Sequence, residues 1–353
     1  MLTGSLSKKA AAISMIAAVS LMPLTGCAAP ASADPPRASV PQNRPDDHTR
    51  LLDDSYTVSQ RWEANSPAHP EFAMPTLDVG GGRRIMFDRL YAKRGSRELH
   101  ADVFLPAPSD RPAQALVLVH GGAWRSGNKS NFYAMANLLA QRGYAVILPE
   151  YRLAVESPYP AGLIDVNAAI DWTIRNAAML GIDPSRIAIG GESSGGQMAA
   201  LIAYTGGTPL FADGTAKAPR VNALIDLDGV LDFTTPLALR YENAAGEDSA
   251  AARWLGGSRE TAPQTWEEAS ATTHLSATSP PTLIVSGEDD RFTAGRDEVI
   301  ATLTANGTPV RHVHFDGLPH TFWLFDPYLG QVVDAIDAFL QDMPASRPQQ
   351  SKE

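Results

Sequence analysis

Cysteine is almost missing from this chain of 353 residues: Cys27 is the only one. No internal disulfide can therefore brace the fold. Positive charge is also scarce, with 29 Lys and Arg against 39 Asp and Glu and a formal charge of −10. No basic block is long enough to grip a row of phosphates, so nucleic acid is not an expected partner. Long apolar runs are lacking as well. Ala10 to Leu21 is a short apolar stretch, too brief for a comfortable membrane span but suited to the hydrophobic region of a signal peptide. No internal repeat is present, which removes solenoids and propellers. What remains is ordinary globular composition, 44% apolar and 19% charged, in a chain long enough to bury a large core.

The first residues place the lone thiol. MLTGSLSKK supplies two lysines, the apolar stretch follows, and Leu24-Thr25-Gly26-Cys27 comes directly after it. That succession resembles a bacterial lipobox. It implies a signal peptide over residues 1–26, lipidation of Cys27, export, and anchoring to a bacterial cell membrane or envelope through acyl chains. Residues 27–55 are rich in Pro, Ala, Ser and Asp without periodic hydrophobicity, and read as a flexible tether. Residues 56–345 are expected to form the folded domain, followed by a disordered tail.

From about residue 84 short apolar runs alternate with helical patterns. RIMFDRLYA and LHADVFLPA read as two strands joined around Arg94-Gly95-Ser96. Further strands are predicted at Ala115–Val119, Tyr144–Leu148, Arg186–Ile189, Ala223–Leu227, Thr282–Val285 and Val310–Phe315. A helix is predicted over Ala161–Leu180 from its Leu163, Val166, Ile170 and Ile174 spacing. This order implies an α/β fold: a mostly parallel eight-stranded sheet with helices on both faces. Residues 232–274 show no strand pattern and are expected to form a small cap.

Between the run Arg186-Ile187-Ala188-Ile189 and a helical pattern lies Gly191-Glu192-Ser193-Ser194-Gly195, a match to G-x-S-x-G. In a sharp strand-to-helix turn the serine stands at the tip, and side chains two positions either side of it would collide. Gly191 and Gly195 meet that demand around Ser193. Ser194 fails it, because its own neighbour two positions back is Glu192. Ser193 is thus the candidate nucleophile. Oxyanion donors are expected from Gly121 and Gly122 of His120-Gly121-Gly122-Ala123-Trp124, together with the N–H of Ser194. His320, just beyond the last strand, is the candidate base. His312 and His314 share one face of a strand, where exposure or packing is expected, although an H-x-H metal pair is conceivable chemistry. After Leu283-Ile284-Val285 comes Glu288-Asp289-Asp290, from which Asp290 is the chosen orienting acid and Asp289 its main rival.

With these parts in the order Ser193, Asp290, His320, the chain resembles the hormone-sensitive-lipase-like branch of the α/β-hydrolases, near the bacterial feruloyl/acetyl esterases. The resemblance covers roughly residues 85–340. It rests on HGGAWRSGNK, YRLAVESPYPAGLIDVNAAIDW, LGIDPSRIAIGGESSGGQMAA and the Asp and His segments. GESSGG in place of GDSAGG, and HGGAW in place of HGGG, lean towards the acetyl/feruloyl-type relatives. The resemblance also places the acid three residues after the glycine of the strand-seven turn, at Asp290. It implies a serine carboxylesterase acting on small-molecule esters through an acyl-enzyme, with no cofactor and no metal. Activity should fall on acidification, as the imidazole takes up a proton. An arylformamidase-like amidase or an exopeptidase-like hydrolase could use the same triad. A non-catalytic binding protein on the same scaffold, or a lipase acting at oil surfaces, would need a missing triad member or a long amphipathic lid.

Overall fold

The computed structural model describes residues 55–343. The expected signal peptide over residues 1–26, Cys27, the last two residues of the expected domain and the expected tail at 346–353 lie outside the described residues, as does all of the expected tether but its last residue.

The eight predicted strands are all present: β1 (Arg84–Arg94), β2 (Arg97–Leu105), β3 (Ala113–Val119), β4 (Ala145–Pro149), β5 (Ile182–Glu192), β6 (Ala223–Leu227), β7 (Thr282–Ser286) and β8 (Val310–His314). They form one sheet in the order β1-β2-β4-β3-β5-β6-β7-β8. β1 pairs antiparallel with β2, and β2 antiparallel with β4; every other pairing is parallel. The β1 edge is long and mostly exposed, with two shifts of register against β2.

The helices are α1 (Val58–Asn65), α2 (Tyr133–Gln141), α3 (Ala161–Arg175), α4 (Ala177–Leu180), α5 (Ser194–Thr205), α6 (Pro236–Ala245), α7 (Ala250–Leu255), α8 (Pro263–Glu268), α9 (Arg296–Ala305) and α10 (Tyr328–Gln341). Central strands are buried on both faces, which is why they read as continuous apolar runs. Along β3 the faces alternate. Ala115, Val117 and Val119 join the core under α3 and α5, whereas Leu116 and Leu118 join the core under α2 and α10.

The single helix expected over Ala161–Leu180 is two. At Asn176 the backbone leaves helical values (φ −100°, ψ 12°), and its side-chain amide donates to the Trp172 carbonyl at 2.7 Å. An Asn side chain that bonds nearby backbone competes with the helix ladder in this way. Within 232–274 there is no strand; α6, α7 and α8 fill it with short turns. Its ends are tied to each other, Phe233 N–H donating to Ser270 Oγ at 3.0 Å and Thr272 Oγ1 to Asp232 Oδ2 at 2.7 Å. Among the described residues no helix is long and apolar enough to cross a membrane.

Strand order fixes where a site can form. The chain passes from β3 outward to β4, then returns to place β5 on the other side of β3. The crevice at the carboxyl ends of β3 and β5 is therefore a topological switch point, where open α/β sheets bind ligands.

Candidate active site

Ser193 stands at that crevice. β5 ends at Glu192 and α5 begins at Ser194, so one residue makes the whole turn, with φ 53° and ψ −123°. The backbone is held there by the Ser193 N–H, which donates to the Leu227 carbonyl of β6 at 2.8 Å. The flanking glycines meet the steric demand read from the sequence. A Cβ on Gly191 would collide with the Gly195 carbonyl, and one on Gly195 with the Val119 carbonyl. Strain is concentrated at this rim. Of the seven non-glycine residues with positive φ among the described residues, five are Ala123, Trp124, Ser193, Asp228 and Thr321, all in the turns that follow β3, β5, β6 and β8.

His320 comes in from the turn after β8. Its ring stacks on Phe292, with centroids 3.7 Å apart and planes 9° apart, and meets Trp323 edge-on. Its Nδ1 lies 3.0 Å from Oδ2 of Asp228, a carboxylate only 1% exposed at the end of β6. The other oxygen of Asp228 accepts from the Gly287 N–H at 3.1 Å. This is the arrangement that fixes an imidazole: a buried carboxylate bonded to one ring nitrogen, leaving Nε2 for proton exchange. Ser193 Oγ and His320 are not hydrogen-bonded in the structure, as is common before substrate tightens such a site.

The structure does not bring Asp290 to His320. Asp290 begins a turn after β7 with its side chain 77% exposed, and its ionic neighbour is Arg240 at 4.0 Å. Asp289 is also exposed, and caps its own turn through the Arg291 N–H at 3.1 Å. What this turn does give the site is Phe292, the face against which the imidazole lies. Asp228 was missed although a signal existed: Asp226-Leu227-Asp228-Gly229 puts two acids at the carboxyl end of a strand. β6 is hydrogen-bonded directly to β5 and β7 is not, and adjacent strands lie about 4.8 Å apart. The end of β6 is accordingly nearer to the serine.

The oxyanion donors need a similar revision. The Gly121 N–H is committed to Glu192 Oε1, at 3.3 Å, and does not face the crevice as a free donor. Glycine is required at 121 for approach, because a Cβ there would lie 2.8 Å from the Glu192 carbonyl and 3.0 Å from Ser193 Cβ. The N–H groups of Gly122 and Ala123 have no partner among the described residues. Ser194 N–H is the first amide of α5, and the first amides of a helix have no carbonyl of their own helix to bond. The side chain of Ser194, unused in the sequence reading, accepts from the Trp124 N–H at 3.2 Å and so ties the glycine turn to the elbow.

Asp226 is buried beside Asp228. Burial and the Asp228 charge push its carboxyl well above the usual range, with one bond from the Gly229 N–H opposing. His312 and His314 both contact Ser286 Oγ, at 2.8 and 3.0 Å. Burial holds the His312 imidazole below its ordinary value. His314 also lies near Glu288 and Asp316, and all three are exposed. A cleft of about 450 Å³ opens at the opposite end of the parallel strands, lined by Arg84, Tyr144 and Arg186 among others, and holds none of the groups above.

Sheet order, one-residue elbow and buried carboxylate–imidazole pair together define an α/β-hydrolase. Residues 101–297 match the model of the BD-FAE family, and the chain belongs to that family. Among curated proteins it is 30% identical over 275 residues to the Mycobacterium tuberculosis protein named "Probable carboxylic ester hydrolase LipM", spanning 74% of this chain and 62% of that one. It is 28% identical to esterase LipC of the same organism, over 69% of this chain and 62% of the relative. The chain thus spans about three fifths of the length of these two relatives. Among solved structures, a thermophilic esterase of Thermogutta terrifontis superposes with TM-score 0.60 at 23% identity, covering 76% of this chain and 95% of that one. A truncated carbohydrate esterase from gut microbiota gives 0.62 at 23%, covering 76% and 100%. These two likenesses support the fold.

Proposed function

We propose that the protein is a serine carboxylesterase acting on small-molecule esters through an acyl-enzyme. The observation that carries this reading is the His320 Nδ1–Asp228 Oδ2 contact of 3.0 Å at the same rim as the strained Ser193. The names of the relatives agree with it. Ser193 Oγ attacks the ester carbonyl carbon while His320 Nε2 takes its proton. The tetrahedral oxyanion is met by the N–H groups of Gly122, Ala123 and Ser194, with Ala123 in the place first given to Gly121. As the C–O bond breaks, His320 returns the proton to the departing alkoxide and the alcohol leaves. Water then repeats the sequence on the acyl-serine, releasing the carboxylic acid. Asp228 holds the tautomer and stabilises the imidazolium formed at each step. The 232–274 segment is the cap in this reading, since its Trp254 stacks on Trp124 beside the glycine turn (centroids 4.7 Å).

A fluorophosphonate should label the protein once, and Ser193→Ala should abolish the label and lower p-nitrophenyl acetate turnover by about 10³-fold or more. Unchanged labelling in that variant would remove Ser193 from the reading. Formyl-amide and dipeptide substrates, offered in parallel, should be turned over more slowly than the ester. If either is turned over faster, the reaction class changes while the nucleophile stands.

Leu24-Thr25-Gly26-Cys27 supports a second part of the proposal, that the protein is exported and lipid-anchored at Cys27. Palmitate incorporation in a bacterial host should be lost in Cys27→Ala, and the protein should move from the membrane fraction to the soluble one. Persistence in the membrane without label would overturn the anchor.

A further inference from the structure

The residue before the nucleophile takes no part in the reaction as written, yet it is the most heavily bonded carboxylate of the site. Glu192 is fully buried. Its Oε2 accepts from the Tyr56 hydroxyl at 2.9 Å and from Trp323 Nε1 at 2.6 Å, while Oε1 accepts from the Gly121 N–H at 3.3 Å. These donors come from three distant stretches. Gly121 belongs to the glycine turn, Trp323 to the turn that carries His320, and Tyr56 to the segment that enters the domain from the tether.

That entering segment is fastened to the same two turns by independent contacts. The Tyr56 N–H donates to Ser126 Oγ at 3.0 Å, and the Ser126 N–H in turn donates to the Gly122 carbonyl at 3.0 Å. Next comes α1, started by a capping box between Thr57 and Gln60. Trp62 of α1 packs edge-on to Phe325, with centroids 5.7 Å apart, and Asn65 Nδ2 reaches Thr321 Oγ1 at 3.5 Å. Phe72 stacks on Phe325, and Ala73 exchanges two backbone hydrogen bonds with Asp326, at 2.8 and 2.9 Å. Residues 56–73 thus form a strap joining the turn that offers oxyanion donors to the turn that carries the base.

We propose that this strap is a working part of the catalytic centre, with Tyr56 and Glu192 as positioning residues. They hold the glycine turn and the His320 turn in register, and the Glu192 carboxylate favours the imidazolium. Glu192 has no Lys or Arg partner among the described residues. The groups around it are the Tyr56 and Tyr151 hydroxyls, the Trp323 indole, the Gly121 amide and the His320 ring, with Arg61 over the Tyr56 ring. Burial raises the carboxyl above its ordinary value, and the donors of Trp323, Tyr56 and Gly121 work against that rise. A carboxylate so held attracts the positive charge that forms on His320 when Ser193 is deprotonated, alongside the attraction from Asp228. Neutralising it removes that attraction and leaves the charged intermediate less stable.

The inference rests on the proposed triad, and its test separates the two. Full-length Glu192→Gln and Tyr56→Phe are compared with the parent for kcat and KM on p-nitrophenyl acetate, from about pH 5 to 9. Thermal midpoints and fluorophosphonate labelling confirm folding. Glu192→Gln should lower kcat about tenfold or more with KM within about twofold, and move the acid limb of the rate profile down by about half a pH unit or more. Tyr56→Phe, which keeps the ring and loses one donor, should lower kcat about threefold with KM again little changed. If a folded Glu192→Gln keeps its kcat, or loses it without any movement of the acid limb, the proposal is overturned. Should Glu192→Gln fail to fold, Tyr56→Phe decides alone: parental kcat overturns the proposal. Failure of the triad itself would show instead as activity surviving in Ser193→Ala, whatever Tyr56 and Glu192 do.

Discussion

The turn after β5 and the turn after β7 were both marked as functional by their residues, and the structure treats them differently. Around Ser193 each demand is local. A residue with φ 53° between a strand and a helix needs glycines two positions away, and Gly191 and Gly195 are there for that reason. The turn after β7 offers three acids in a row, but nothing local decides which of them points inward. Asp290 lies at the surface near Arg240, Asp289 caps its own turn, and Phe292 alone reaches the imidazole. The carboxylate that meets His320 Nδ1 is Asp228, which follows the neighbouring strand β6. Steric constraints are written in adjacent residues, whereas the choice among several carboxylates depends on which chain end lies beside which.

Three measurements bear on that contrast, in descending size. Asp228→Asn should leave the ring's position largely intact but favour the wrong tautomer, lowering kcat by about 10³–10⁴-fold; a loss below tenfold would return the role to the β7 turn. Asp226→Asn tests the neighbouring buried acid through stability. Because the folded-state pKa of Asp226 is raised, the folded protein keeps a proton that the unfolded chain releases above its own value of about 3.9. Folding is thereby weakened as pH rises through that window, and below it no penalty exists. Asp226→Asn should be more stable than the parent at neutral pH, by on the order of 1 kcal/mol, with the gap closing towards about pH 4. A gap independent of pH in chemical denaturation would show that Asp226 is ionised when folded. Smallest of all is Asp290→Asn, which removes an exposed charge and should change kcat/KM by less than about twofold.

Much of the molecule was legible in advance, for physical reasons. Strands buried on both faces must be apolar throughout, so β3 through β7 announced themselves. β1 and β2 were recognised by the hairpin at Gly95, where φ is 62°. The predicted 161–180 helix failed only at Asn176, whose side chain bonds the backbone in place of the ladder. Ser193 and His320 stand at one rim as expected from strand order. The acids at the end of β6 were visible but not the pairing of Asp228 with His320, and the commitment of Gly121 to Glu192 and the strap at Tyr56 were not legible. Each depends on contacts between segments dozens to more than a hundred residues apart, such as Tyr56 with Glu192 and His320 with Asp228.

An open sheet leaves two margins whose unpaired amides and carbonyls invite other chains to stack. On the outer margin, β1 bears Arg84, Asp88, Arg89, Lys93 and Arg94, and its pairing slips twice along its length. Charges and kinks of this kind spoil the flat template that fibril growth requires. At the other margin β8 is brief and carries Arg311, His312 and His314. The irregularities along β1 therefore guard a crowded population of these molecules against sticking side by side.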